Sequence, residues 1–279
     1  VEVKTKDGVK TLDAKSVVLA TGGFGANAAM VEQYRPELKG FSTTNHAGAQ
    51  GEGITLGLEA GAGLTDIEQI QIHPTVIKRD GHLISESMRG RGAILVNQDG
   101  KRFTNELLTR DVVSQNVLKQ PGGYAYLIWD EQVSEKSKLA QEYFKDGYAV
   151  RVYSVEALAT ELKIPVDALK ATFSDYWGFV KGGKDTQFER PDMLSSMDKA
   201  PFYAAQITPG IHHTMGGLKI NSKAEVLTKD KVAIPGLYAA GEVTGGVHGG
   251  NRIGGNAVAD IVTFGRIAGQ GAAGFAKAH

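Results

Sequence analysis

Five short segments of this chain carry side chains of one chemical type. IHPT contributes His73, SESMRG contributes Ser85, Glu86 and Arg89, and TRD contributes Arg110. IHHTMGG contributes His212 and His213, and the loop GEVTGGVHGGNRIGGNA contributes Arg252. Arginine offers a planar fork to a carboxylate, and imidazole and hydroxyl groups offer further donors, so together these residues suit a small molecule with two carboxylates. Each also has a plainer reading. Histidine before proline fits a surface turn, Glu86 and Arg89 at i, i+3 fit an ordinary helix ion pair, and Thr-Arg-Asp fits a helix start. The loop around Arg252 holds seven glycines in seventeen residues. Glycine costs stability in regular structure, so such density marks backbone that must come close to something else.

The elements that would position these residues are strand–glycine–helix units at both ends of the chain. SVVLATGGFG (16–25) reads as a buried strand running into a turn, and VAIPGLYAAGE reads as a second. Such a turn offers free backbone N–H groups and a positive helix end to phosphate or another anion, and Glu242, closing the second unit, suits sugar or ribityl hydroxyls. A final helix begins at Gly254-Gly255-Asn256-Ala257, where its dipole could face a developing negative charge such as the N1–C2=O edge of a reduced flavin. No complete GxGxxG fingerprint is present, which places any phosphate-binding half upstream of Val1. Between the two ends the texture changes. Strands with Asp-Gly turns at 80–81 and 99–100 lead into a stretch, 105–182, that reads as mostly helical, and a polar connector runs from Asp185 to Pro201. The expected organisation is 1–69 and 206–279 as parts of one nucleotide-binding domain, with 70–205 inserted.

Bulk properties narrow the class. The 279 residues carry 31 acidic and 31 basic side chains, so no electrostatic footprint for nucleic acid appears. No apolar run reaches the roughly 20 residues of a bilayer span. Without cysteine, this chain itself has no disulfide, zinc–thiolate, Fe–S or c-type haem attachment site. The first residues, VEVKTKDGVKT, read as a hairpin with its turn at Asp7-Gly8, and a chain opening in this way is expected to be the later part of a longer polypeptide.

Taken together, VVLATGGFG, HAGAQGEG, IQIHPT, SESMRGRGA, GKRFTNE, TRD, PGIHHTMGG, IPGLYAAGEVTGGVHGGNRIGGNA and FGRIAG resemble the C-terminal half of the flavoprotein subunit of fumarate reductases and succinate dehydrogenases. The resemblance runs along the whole chain and is greatest to the soluble bacterial flavocytochrome c fumarate reductases of the Shewanella type. It implies an α/β fold in which a Rossmann-like FAD-binding domain is interrupted by a mobile, α+β capping domain. It implies an oxidoreductase of anaerobic respiratory electron transport, located in the periplasm. FAD is the implied cofactor, with haem c only in a missing N-terminal domain or a cytochrome partner, and no metal ligand is assigned.

Residue by residue, Arg110 matches the arginine that protonates the substrate carbon, and Glu86 and Arg89 match the relay that returns its proton. His73, Ser85, His212 and Arg252 match the residues that grip the two carboxylates. Gly22, Gly23, Glu242, Asn256 and Ala257 match contacts to FAD, and His213 receives no role. Two positions depart from the family's usual form. Ser85 stands where threonine is usual, and AQGEG where ATGDG is usual. The implied reaction is hydride transfer from reduced flavin N5 to fumarate, with the arginine acid completing succinate. An arginine is a poor acid at its ordinary pKa. The role becomes workable against a developing carbanion in direct contact, with Glu86 and Arg89 to refill it. Other activated alkene acids (urocanate, methacrylate or acrylate) and a non-catalytic dicarboxylate-binding fragment are the alternatives. His73 with His212 and Arg252 favours two carboxylates, and so fumarate.

Overall fold

The computed structural model describes residues 1–279, which form two compact units. One comprises Val1–Gly40, Asn45–Gln71 and His213–His279; the other comprises Phe41–Thr44 and Ile72–His212. No helix is long and apolar enough to cross a membrane.

In the first unit, the strands Val17–Leu19 and Ala233–Ala239 lie side by side and parallel, pairing Leu237 with Val17 and Ala239 with Leu19. This pairing positions the site, because both strands run into their glycine turns at the same carboxyl edge of the sheet. The crevice outside that edge is where open α/β sheets take ligands. The strand Glu225–Leu227 completes the sheet on the other side of Ala233–Ala239. Helix Asn256–Ala278 lies on it, packing Ala268 and Ala272 against Ala224, Tyr238 and Ala240. The approach is so close that a Cβ on Gly271 would sit 2.6 Å from the Tyr238 ring. Both central strands were expected to be buried, yet Leu19, Tyr238 and Ala239 are buried while Val18 is 37% exposed. A smaller sheet joins Thr244–Gly245, Gly217–Lys219 and Leu64–Thr65. The opening hairpin pairs Glu2–Thr5 with Gly8–Thr11, and its two-residue turn is Lys6-Asp7. Gly8, at φ +113°, is therefore already the first paired residue of the second strand.

The second unit bears out the expectation that 105–182 is mostly helical, although two strands, Ala125–Asp130 and Val150–Val152, interrupt its helices. Its centre is a sheet of five strands: Ile70–Val76, Phe202–Thr214, Ala125–Asp130 and Ile94–Val96 in that order, with Val150–Val152 also paired to Phe202–Thr214. Ala125–Asp130, AYLIWD, is buried at every residue. Its Leu127 and Trp129 face one apolar layer with Val113, Val117, Val133 and Tyr143. Tyr126 and Ile128 face a second layer with Leu158, Leu169, Phe173 and Tyr176. A strand covered on both sides loses the polar–apolar alternation that would have distinguished it from a buried helix segment. Helices Arg110–Leu118 and Lys138–Lys145 supply the first layer, and Val155–Leu162 and Val166–Gly182 the second.

Candidate functional site

In the second unit the sheet and two helix starts bring five of the candidate residues together. His73 lies on the fully buried strand Ile70–Val76 and is 1% exposed. Its Nδ1 accepts the Thr75 backbone N–H at 3.3 Å, which leaves Nε2 as the protonated, donating nitrogen. Burial holds its pKa well below that of an ordinary histidine, and the charges of Arg89, His212 and Arg110 add to the effect. His73 is thus a neutral donor at neutral pH. The His212 ring lies 5.2 Å from it, with Nδ1 2.8 Å from the Thr44 hydroxyl.

Beside the histidines, one carboxylate bridges two arginines. Arg110, the first residue of helix Arg110–Leu118, donates through Nη2 to Glu86 Oε2 at 2.9 Å and through Nε to Oε1 at 3.4 Å. Arg89 donates through Nη2 to Glu86 Oε1 at 3.3 Å. Burial by itself would raise the Glu86 carboxyl, but the Arg110 hydrogen bond and the charges of Arg110 and Arg89 outweigh it and hold it below the usual range. Arg89 is 1% exposed, and burial lowers its pKa to about 10 against the opposing pull of Glu86. An ionised, half-exposed carboxylate thus joins a buried arginine of reduced proton affinity to a second arginine.

Ser85 sits at the edge of this cluster. Its hydroxyl is 2.9 Å from that of Ser87, at the start of helix Ser87–Gly90, and its backbone N–H donates to the Tyr143 hydroxyl at 2.9 Å. Sequence reasoning missed Tyr143, which carries no motif and reaches Ser85 from a helix 58 residues away. Tyr143→Phe leaves that part-buried N–H without its acceptor. We expect a loss of about 1–3 kcal/mol, read as a lowered Tm.

In the first unit, Glu242 closes the turn after Ala233–Ala239. Its Oε1 accepts from Thr214 N at 2.8 Å and Thr214 Oγ1 at 3.1 Å, and its Oε2 lies 3.2 Å from His213 Nδ1. Burial opposes ionisation, but the His213 and Thr214 contacts win and keep the carboxyl below its ordinary range. His213, which sequence reasoning left without a role, therefore orients Glu242, and its Nε2 is buried without a hydrogen-bond partner. Gly23 lies against the same group, since a Cβ there would meet Thr214 Oγ1 at 2.1 Å and Glu242 Oε1 at 2.7 Å. Gly22 adopts φ +79° with open space where a Cβ would point.

Arg252 is buried, with Nη1 donating to the Ile253 carbonyl at 3.1 Å. Gln71 fixes its backbone by donating to the Arg252 carbonyl at 2.7 Å and to Asn251 Oδ1 at 2.6 Å. His248, 3.1 Å from Asp260, is a further neighbour whose pKa is lowered by burial despite Asp260, with His213 and Arg252 adding to the fall. Asn256 and Ala257 begin helix Asn256–Ala278 behind a left-handed Gly255 that supplies no capping side chain. That helix start, the open side of Gly22 and the Glu242 carboxylate fit a cofactor with anionic and hydroxyl-bearing parts.

Comparison with known proteins agrees with a flavin cofactor. The profile described as "FAD binding domain" matches residues 1–258. An "NADH:fumarate oxidoreductase" of Klebsiella pneumoniae is 53% identical over 263 residues, covering 94% of this chain and 28% of the relative. A "Fumarate reductase (cytochrome)" of Shewanella frigidimarina is 48% identical over 264 residues, covering 95% and 46%. The solved open conformation of a flavocytochrome c3 fumarate reductase superposes with a TM-score of 0.79 at 50% identity, over 97% of this chain and 48% of that one. The fold is the FAD-binding flavoprotein fold that this structure exemplifies. The chain spans less than half the length of these relatives.

Proposed function

Because the chain belongs to the FAD-binding domain family, we propose that it is the substrate-handling half of a fumarate reductase, an oxidoreductase acting on a CH–CH bond. The observation that carries this reading is the Arg110–Glu86–Arg89 chain. Holding a dicarboxylate requires positive charge, whereas a carboxylate bridging two arginines beside the histidines is what proton delivery requires. The relatives named for fumarate reduction support the same substrate.

The cofactor is FAD, which when bound and reduced supplies the hydride. In this reading Gly22 and Gly23 offer backbone to it, Glu242 accepts its hydroxyls, and the helix start at Asn256 and Ala257 faces its developing negative charge. His73 donates from Nε2 to a substrate carboxylate, with His212, Ser85 and Arg252 as the other carboxylate ligands. As one alkene carbon receives the hydride, the π pair moves to the other carbon, which takes a proton from Arg110. Glu86, ionised between the two guanidiniums, passes a proton from Arg89 to restore Arg110. Segment 70–205 acts as the capping domain, and excluding water strengthens each of these charges. Electrons come from a haem c domain or cytochrome partner outside this chain, in the periplasm.

The test is an absorption experiment on the full-length protein. The flavin band is bleached by a reductant, and fumarate, acrylate and urocanate are then added separately. Return of the band with fumarate at least tenfold faster than with the others is the expected result. Reoxidation by acrylate or urocanate alone would replace the substrate, and none by any of the three would remove the reductase reading.

A further inference from the structure

Behind the Arg110–Glu86–Arg89 chain lies a second, fully buried set of charges that the proposed reaction does not use. Glu106 has no exposed surface, and its carboxylate accepts from Arg102 Nε and Nη2, each at 2.9 Å, from Arg190 Nη1 at 3.0 Å and from Leu95 N at 3.2 Å. Asp185 accepts from Arg102 Nη2 at 2.9 Å. Breaking such a buried set by removing one partner is costly, and keeping it adds little to stability over apolar packing, so its contacts need a further account.

Those contacts converge on Arg89. The Glu106 backbone carbonyl accepts from Arg89 Nη1, and Arg190 Nη2 donates to the Arg89 backbone carbonyl. Arg190 also donates to the Ala93 carbonyl at 2.9 Å and through Nε to the Asp192 carbonyl at 2.8 Å, so the polar connector is tied to the end of helix Ser87–Gly90. We infer that Glu106 and Arg190 are positioning residues for Arg89, seating its guanidinium and its backbone and placing two opposite buried charges behind it. The inference rests on the reading of Arg89 as a proton carrier.

The charged and titratable groups at Arg89, and those behind it, come from several elements. Glu86 is the N-cap of its helix, His73 comes from the sheet with His212 beside it, and Arg110 comes from helix Arg110–Leu118. Arg102 and Glu106 come from the segment between Ile94–Val96 and that helix, and Asp185 and Arg190 from the connector. The Tyr176 ring of helix Val166–Gly182 lies 4.8 Å from Arg102 and 6.0 Å from Arg190. Among the charged groups, Glu106 strengthens the hold of Arg89 on its proton, and Arg190 weakens it.

The opposite signs supply a test that a merely structural role would not satisfy. Proton delivery needs protonated Arg89, so activity falls on the alkaline side as Arg89 loses its proton. Glu106→Gln keeps an acceptor oxygen and removes the negative charge, so the alkaline limb of kcat moves to lower pH by about 1 unit. Arg190→Met removes a positive charge, so the limb moves to higher pH by a similar amount, about 1 unit. The double variant E106Q/R190M removes one charge of each sign and returns the limb close to that of wild type.

Full-length holoenzyme is used throughout. Where E106Q alone does not fold, comparing R190M with the double variant isolates Glu106 in a background of balanced charge. The same titration is followed by carbon NMR of labelled arginine, with the Arg89 guanidinium assigned from Arg89→Lys. This second readout needs no turnover, so it decides the inference even if fumarate fails to reoxidise the flavin. Shifts of opposite sign in the two single variants uphold the proposal. Shifts of the same sign, or none, overturn it.

Discussion

Arg110→Ala in the full-length protein is expected to lower kcat for fumarate by about 10²–10⁴-fold, the usual worth of a positioned general acid, while binding of succinate weakens far less. The distinction follows from geometry. Arg110 points its fork at Glu86, a carboxylate that is already 42% exposed and that stays paired with Arg89 when Arg110 is lost, so the cluster keeps its shape. Arg110→Lys keeps a proton and a charge but cannot reproduce two parallel donations, so it restores part of the lost rate. Glu86→Gln separates delivery from refilling. The proton already on Arg110 supports a first turnover of near-normal rate, and later turnovers slow because Arg89 no longer has a carboxylate through which to return it. Rapid mixing of reduced enzyme with fumarate reads the first event and steady-state turnover reads the second. Equal loss of both in E86Q would remove the relay, and unchanged kcat in R110A would remove the acid.

How much of this was legible before the fold was known depends on how local each feature is. The strand–glycine turns at 20–23 and 240–242 are local signals, and the parallel pairing of Val17–Leu19 with Ala233–Ala239 gives them a common edge. The residues His73, Glu86, Arg89, Arg110 and His212 stood out by type, and the sheet gathers them although they span 140 positions. The strand Ala125–Asp130 was hidden because both of its faces are buried. Glu106, Arg190 and Tyr143 were hidden for a different reason. Their spacing to Arg89 or Ser85 follows no period, and their partners are backbone atoms, which leave no trace in residue type. His213 lay in view but lacked a role until Glu242, 29 residues on, was placed against it.

The adjacent glycines Gly22 and Gly23 should fail in different ways when each is changed to alanine. In Gly23→Ala the new Cβ would lie 2.1 Å from Thr214 Oγ1 and 2.7 Å from Glu242 Oε1. Thr214 has no exposed surface, its hydroxyl is bonded to Glu242, and the Phe24 backbone N–H donates to it at 3.4 Å. It cannot turn aside without breaking both contacts, so the expected cost is about 2–4 kcal/mol from overpacking and lost hydrogen bonds. In Gly22→Ala the Cβ meets nothing within 4 Å, and only φ +79° opposes it, which costs about 1–2 kcal/mol. Stability alone therefore ranks Gly23→Ala as the worse change. Cofactor content should not follow that rank if the open side of Gly22 is where FAD lies. The flavin-to-protein absorbance ratio of purified Gly22→Ala then falls out of proportion to its small loss in Tm, because the added methyl occupies the space of the ligand. A Gly22→Ala protein that keeps its full flavin content would move the cofactor away from this turn. The approach to FAD would then rest on Glu242 and the helix start at Asn256.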